Sequence, residues 1–227
     1  MIVGNGLLAN LFKENDIENI VFFASGVSNS LETQPKEFQR EEDLLRKTLA
    51  ENPEKIFVYF STCSIYDSSK AGSLYVLHKH KMEQIISDTA KDYLILRVSN
   101  AVGKGGSPNL LMNYLVNAVK THSPINVHTK ATRNLINVED IKNITYKLIE
   151  DKKYFNQIIN VAYPENYTIV EILEIIESFY NIELNTKFIH EGIDYHIDTP
   201  FTKKYFSEKQ SMDKKQYLTQ ILESYYS

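Results

Sequence analysis

The chain has 227 residues, with 25 Lys+Arg against 29 Asp+Glu and a formal net charge of −4. That fits one globular unit, or one domain with a smaller appendage, and gives no general nucleic-acid footprint. At 43% hydrophobic and 24% charged residues, there is enough apolar surface for a core and too little charge for a disordered chain. Apolar runs are short, as at residues 20–24, so no membrane-spanning helix is expected. The start Met1-Ile2-Val3-Gly4 leaves no room for a signal peptide, and the single cysteine, Cys63, supports no disulfide framework. The expected compartment is the cytoplasm.

Strand and helix signals alternate along the chain. Residues 1–3 read as a very short strand, and residues 7–13 as a helix after a glycine turn. Residues 19–24 (NIVFFA) form an apolar, β-rich run ending at Ser25-Gly26, the pattern of a strand buried on both faces. A charged amphipathic helix comes next at 37–51, with Phe38, Leu45 and Leu49 on its apolar stripe. A strand at 55–60, a helix at 75–90 and a strand at 93–98 complete a βαβ alternation that implies a parallel sheet. Helical patterns at 109–120 and 139–150 flank a short strand at 124–128, and another apolar strand occupies 157–162. Thr168, with Glu171 three residues on, opens a capped helix to Tyr180. Residues 201–227 show no strong period until 216–225. A small α+β cap after the sheet accounts for this second half.

Gly4-Asn5-Gly6-Leu7-Leu8-Ala9 matches G-x-G-x-x-A between a strand and a helix. That arrangement lets backbone N–H groups and a helix N-terminus hold a pyrophosphate; a tight βα turn is the plain alternative. The usual fingerprint also places an Asp or Glu about 20 residues on, to take the ribose hydroxyls. Here the next strand ends in Ala24-Ser25-Gly26 with no acid, so either Ser25, Ser28 or Asn29 takes that task or this is not the strand that usually does it.

Tyr75-Val76-Leu77-His78-Lys79 is a Y-x-x-x-K, whose side chains share one helix face. An ammonium beside a phenol favours phenolate, so such a Tyr can act as an acid or base near neutrality. In a chain with 15 Tyr such pairs also arise by chance, and Tyr66/Lys70 and Tyr205/Lys209 have the same spacing. Tyr66/Lys70 reads as loop, and Tyr205/Lys209 lies in the tail. Only Tyr75/Lys79 opens a helix just after a buried strand that ends in hydroxyls, Ser61-Thr62.

Several segments in order carry a resemblance. The run 57–66 (FVYFSTCSIY) looks like a strand with a catalytic Ser/Thr four residues before a Tyr, and Tyr75-x-x-x-Lys79-x-x-x-Glu83 like a Y-x-x-x-K-x-x-x-E helix. Residues 96–103 (LRVSNAVG) resemble L-R-x-x-N-x-x-G, and 133–140 (RNLINVED) resemble R-D-F-V-H-V-D-D. Asn160-Val161-Ala162 before the capped helix also fits. Over about residues 1–180 the chain resembles the extended short-chain dehydrogenase/reductases, the NAD-dependent epimerase/dehydratase family of nucleotide-sugar enzymes.

The resemblance implies a Rossmann-like, doubly wound parallel sheet and a small α+β C-terminal substrate domain. Residues 1–103, with 139–165 returning, would form the cofactor domain; 104–138 and 166–227 would form the cap. It implies Tyr75 as general acid/base, Lys79 as the residue that activates it and binds the nicotinamide ribose, and Thr62 as the hydrogen-bond partner of the reacting oxygen. NAD or NADP would lie on Gly4, Asn5, Gly6, Leu7, Leu8, Ala24, Ser25 and Lys79. Asn100 and Arg133 would face a nucleotide-sugar substrate, where a guanidinium suits phosphate oxygens; the alternative for Arg133 is a surface ion pair with Glu139 or Asp140. A homodimer through the helices at 37–51 and 75–90 is implied as well.

Residues 19–29 look like the family's fourth strand, so the second strand, its helix and the third strand are expected to be missing between Lys13 and Asn19, and the ribose acid with them. Cys63-Ser64 stands where 4,6-dehydratases carry Asp-Glu, which disfavours dehydration; Cys63 reads as core, with a proton-donor role in epimerisation as the alternative. The His residues show no ligand spacing and no metal is expected, and His78 and His80 are expected on the exposed side of the Tyr75 helix. The reading is an NAD(P)-dependent nucleotide-sugar epimerase or ketoreductase. Its rival is a catalytically silent or regulatory Rossmann-like protein that binds a nucleotide or nucleotide sugar.

Overall fold

The computed structural model describes residues 1–14, 17–209 and 212–227. In chain order come β1 (Ile2–Val3), α1 (Leu7–Asn10), β2 (Ile20–Phe23), α2 (Pro35–Glu51) and β3 (Ile56–Thr62). Two short 3-10 turns, Cys63–Tyr66 and Ser68–Lys70, lead to α3 (Leu74–Thr89) and β4 (Tyr93–Val98). The second half holds β5 (Asn100–Val102), α4 (Leu111–Lys120), β6 (Ile125–His128), β7 (Thr132–Arg133), β8 (Leu135–Asn137), α5 (Val138–Glu150) and β9 (Gln157–Val161). It ends with β10 (Tyr167–Thr168), α6 (Ile169–Tyr180), β11 (Thr186–Ile189), α7 (Pro200–Glu208) and α8 (Lys214–Tyr225).

Strands β1, β2, β3, β4 and β9 form one parallel sheet in that order. Alternation along its buried strands sends side chains to two cores. Phe22, Val58, Leu94 and Leu96 pack with Ile141, Ile144 and Leu148 of α5. On the opposite face, Val21, Phe23, Phe57 and Ile95 pack with Leu45 and Leu49 of α2 and Met82 and Ile86 of α3. Helices on both faces of a parallel sheet make this a doubly wound, Rossmann-like fold.

The sheet is cut short on one side. β1 is its edge strand and pairs only with β2, so the second strand, helix and third strand expected beyond β1 are absent among the described residues. Asn15 and Asp16, in the stretch where that unit is missing, and Gln210 and Ser211, in the tail, lie outside the described residues. α1 is shorter than the helix expected at 7–13. The amides of Leu11 and Phe12 turn back to the carbonyls of Leu8 and Ala9 at 3.2 Å, and Phe12 stacks on Phe22 with ring centroids 4.4 Å apart. The chain tightens there because it must reach β2 without an intervening unit.

The tail is more ordered than its weak periodicity suggested. Buried Asp140 of α5 accepts hydrogen bonds from Tyr205 (2.9 Å) and Tyr217 (2.8 Å) and pairs with Lys209. The third Y-x-x-x-K is thus a clasp that ties α7 and α8 to α5. Thr168 and Glu171 form the expected capping box. No described helix is long and apolar enough to cross a membrane.

Candidate active site

A cavity of about 940 Å³ opens at the C-terminal ends of β1 to β4, the position where open α/β sheets bind ligands. Gly4 sits behind it at φ +127°, a conformation L side chains rarely adopt; a Cβ there would meet the Ala24 carbonyl oxygen at 2.4 Å. This presses the turn after β1 against the turn after β2. A Cβ on Gly6 would meet nothing within 4 Å, so the space above the turn is open. The first-turn amides of Leu7 and Leu8 have no acceptor within so short a helix. Asn5, Gly6, Leu7, Leu8, Ala24, Ser25, Ser28, Asn29 and Lys79 line this cavity, with no Asp or Glu among its described lining residues. These features suit a pyrophosphate and the nicotinamide half of a dinucleotide. With β1 at the edge and Ala24-Ser25-Gly26 after β2, no acid among the described residues stands where the adenosine ribose is usually gripped.

Thr62 ends β3, lines the cavity, and accepts the Ser64 amide at 3.0 Å. Ser73 caps α3 by accepting the Val76 amide, which puts Tyr75 in the first turn on the cavity wall, 7% exposed. Lys79 sits one turn later, its ammonium 6.0 Å from the Tyr75 ring centroid. Thr62, Tyr75 and Lys79 therefore line one cavity.

The Lys79 ammonium is already held by the protein. It donates to Glu41 Oε1 at 2.9 Å and to the Tyr59 hydroxyl at 3.1 Å. Glu41, fully buried on α2, also accepts from Tyr59 (2.7 Å), the Val27 amide (2.7 Å) and His78 Nε2 (3.0 Å). Burial alone would raise the pKa of the Glu41 carboxyl, but the Lys79 charge and these donors outweigh it and hold the group far below the usual carboxylate range. Burial and Glu41 together push the Tyr59 phenol well up. A Cβ on Gly26 would lie 2.3 Å from Lys79 Nζ and 2.8 Å from Glu41 Oε1, so any larger residue at this turn must push the pair aside.

His78 does not lie on the exposed side of the helix as expected: it is buried against Glu41, with its ring 4.9 Å from that of Phe38, whereas the His80 side chain is 48% exposed. Glu41 was missed because it sits in a charged helix that reads as a solvated face. Its register gives it away, three residues after Phe38 and four before Leu45 on the same stripe.

Glu83 and Arg97 explain their motif positions. Arg97 of β4 grips Glu83 of α3 through Nε (2.9 Å) and Nη2 (2.6 Å), and Ser61 of β3 donates to the same carboxylate. The pair fastens the Tyr75 helix to two strands. Cys63 is buried core, its thiol donating to the Arg97 carbonyl and its pKa pushed up by burial. Among the described residues no cluster of His, Cys, Asp or Glu could hold a metal ion.

Asn100 lines the cavity and donates to the Asn134 carbonyl at 2.8 Å. Arg133 is not among the cavity-lining residues and forms no ion pair with Glu139 or Asp140; its guanidinium donates to the Thr132 carbonyl at 2.7 Å. Lys70, set aside in the sequence as loop, lines the cavity from the second 3-10 turn.

A parallel sheet wound on both faces, with a glycine turn at one edge strand and a Tyr and Lys one helical turn apart over the strand ends, defines a Rossmann-type dinucleotide-binding architecture. Residues 2–162 match the NAD dependent epimerase/dehydratase family, and the chain belongs to that family. No curated protein matches it. Among solved structures it is similar to UDP-glucuronic acid 4-epimerase from Bacillus cereus, solved with UDP-glucuronic acid and NAD, at TM-score 0.75 and 18% identity over 98% of this chain and 77% of that one. It is also similar to RMD from Pseudomonas aeruginosa with NADPH (TM-score 0.71, 15% identity, 91% of this chain and 80% of that one). A third is dTDP-glucose 4,6-dehydratase from Bacillus anthracis with NAD (TM-score 0.71, 18% identity, 96% and 75%). Each solved chain is longer, in keeping with the truncated sheet.

Proposed function

We propose that this chain is an NAD(P)-dependent nucleotide-sugar epimerase or ketoreductase. The observation that carries the reading is the convergence of Thr62 and Tyr75 on one cavity with the open Gly6 turn. When bound, the nicotinamide accepts and returns hydride at a sugar carbon. Tyr75 Oη takes and gives back the proton of the sugar hydroxyl, and the Thr62 hydroxyl hydrogen-bonds the same oxygen. Of the three donors on the Lys79 ammonium, two are held by Glu41 and Tyr59, which leaves the third for a ribose hydroxyl. Residues 1–103 with 139–165 serve as the cofactor domain, and 104–138 with 166–227 close over the sugar. The protein pairs with a second copy through α2 and α3, where Leu74 and Leu77 are 53% and 54% exposed; sedimentation of the purified chain at monomer mass contradicts that part. For the chemistry, Tyr75→Phe is expected to lower turnover of a UDP-sugar by about 100-fold or more while its circular dichroism stays unchanged. Wild-type turnover in that variant overturns the assignment.

A second reading is a nucleotide-sugar binder without redox work. It is favoured by one observation, the pairing of Lys79 with a fully buried carboxylate.

A further inference from the structure

One cation on the wall of the cavity has no carboxylate partner within ion-pair distance among the described residues. The half-buried Lys70 side chain lines the cavity, donates to the Ser30 hydroxyl at 3.3 Å, and belongs to no ion pair among those residues. Burial and the Arg133 charge both depress the Lys70 pKa, so the two like charges feel each other. The acid that acts on Lys70 among the described residues, Asp67, spends its Oδ1 on the Ser69 amide and hydroxyl as a cap of the 3-10 turn. By contrast Lys79, a buried cation at the same cavity, is paired with Glu41. A partly desolvated cation that feels a like charge is costly until an anion joins it.

We infer that Lys70, with the Ser30 hydroxyl, forms an anion subsite of the cavity and is a specificity-determining residue for the ligand. The ligand group has several anionic oxygens: the diphosphate of a nucleotide sugar or a carboxylate on its sugar. Naming a nucleotide sugar rests on the reading above; anion binding at Lys70 does not.

The test is calorimetric titration of the full chain and of Lys70→Met and Lys70→Arg with UDP-glucose, UDP-glucuronic acid and inorganic pyrophosphate, with thermal melts to verify folding. Lys70→Met is expected to weaken binding about 10-fold or more, and Lys70→Arg to restore most of it. Equal losses for both UDP-sugars assign the diphosphate to Lys70, and a loss confined to UDP-glucuronic acid assigns the carboxylate. If the chain binds pyrophosphate through Lys70 but neither UDP-sugar, the subsite stands and the nucleotide-sugar reading falls. Unchanged affinity for all three ligands in folded Lys70→Met, or no binding of any of them to the wild-type chain, overturns the subsite.

Discussion

Glu41 Oε1 lies 2.9 Å from Lys79 Nζ, with both side chains sealed from solvent. The pair joins α2 to the helix that carries Tyr75, and through the Val27 amide it also fixes the turn after β2. One carboxylate thus sets the positions of the Lys and of the cofactor-facing turn.

Removing that charge strands a buried ammonium. Glu41→Gln is expected to lower stability by about 3–5 kcal/mol, read from urea unfolding midpoints at neutral pH. A change below about 0.5 kcal/mol, the scale of an ordinary surface substitution, means the pair does not hold the helix.

Acid exposes the same contact. The Glu41 carboxyl is held far below its ordinary value of 4.5 in the folded chain, so its contribution is complete above about pH 4.5 and shrinks as the pH falls from there. Glu42, Glu171 and Asp151 are also depressed, so the comparison is between wild type and Glu41→Gln. The wild type is expected to lose more stability between pH 6 and pH 3 than the variant, in parallel thermal melts. Identical pH profiles would contradict the assignment.

The glycines separate packing from binding. Gly26→Ala drives a Cβ to 2.3 Å from Lys79 Nζ and 2.8 Å from Glu41 Oε1, and a marked fall in melting temperature is expected. Gly6→Ala meets no protein atom, so it is expected to melt like wild type yet bind NADH more weakly. Equal NADH affinity in Gly6→Ala would place the pyrophosphate elsewhere.

Asp140 tests the clasp at the far end. Its loss frees the Tyr205 and Tyr217 hydroxyls and Lys209 together. Asp140→Ala is expected to make α7 and α8 the first sites of limited proteolysis, with the sheet helices still protected. A digestion pattern like that of wild type would show that the apolar contacts of Leu218, Ile221 and Leu222 suffice.

Where burial keeps a clean period, the sequence was legible. The run around Ile20–Phe23 reads as a doubly buried strand because every residue in it is apolar, and the structure buries all four. The missing strand, helix and strand were legible from the Ala24-Ser25-Gly26 turn at the end of that run, where an acid would otherwise stand. Long-range pairing was not. Glu41 and His78 meet each other and Lys79 across two helices, and Lys70 reaches Ser30 across 40 residues, contacts no local pattern encodes. α1 ends early because of the missing unit, a tertiary constraint invisible in the propensity of residues 11–13.

The central claim is that the shortened sheet still holds a nicotinamide dinucleotide over Tyr75. Fluorescence titration of the purified chain with NADH and with NADPH tests it most directly. Saturable binding of at least one of them, with a submillimolar Kd that Gly6→Ala weakens, is the expected result. No saturable binding of either below millimolar concentration would contradict it and leave the cavity to a ligand other than the family's cofactor.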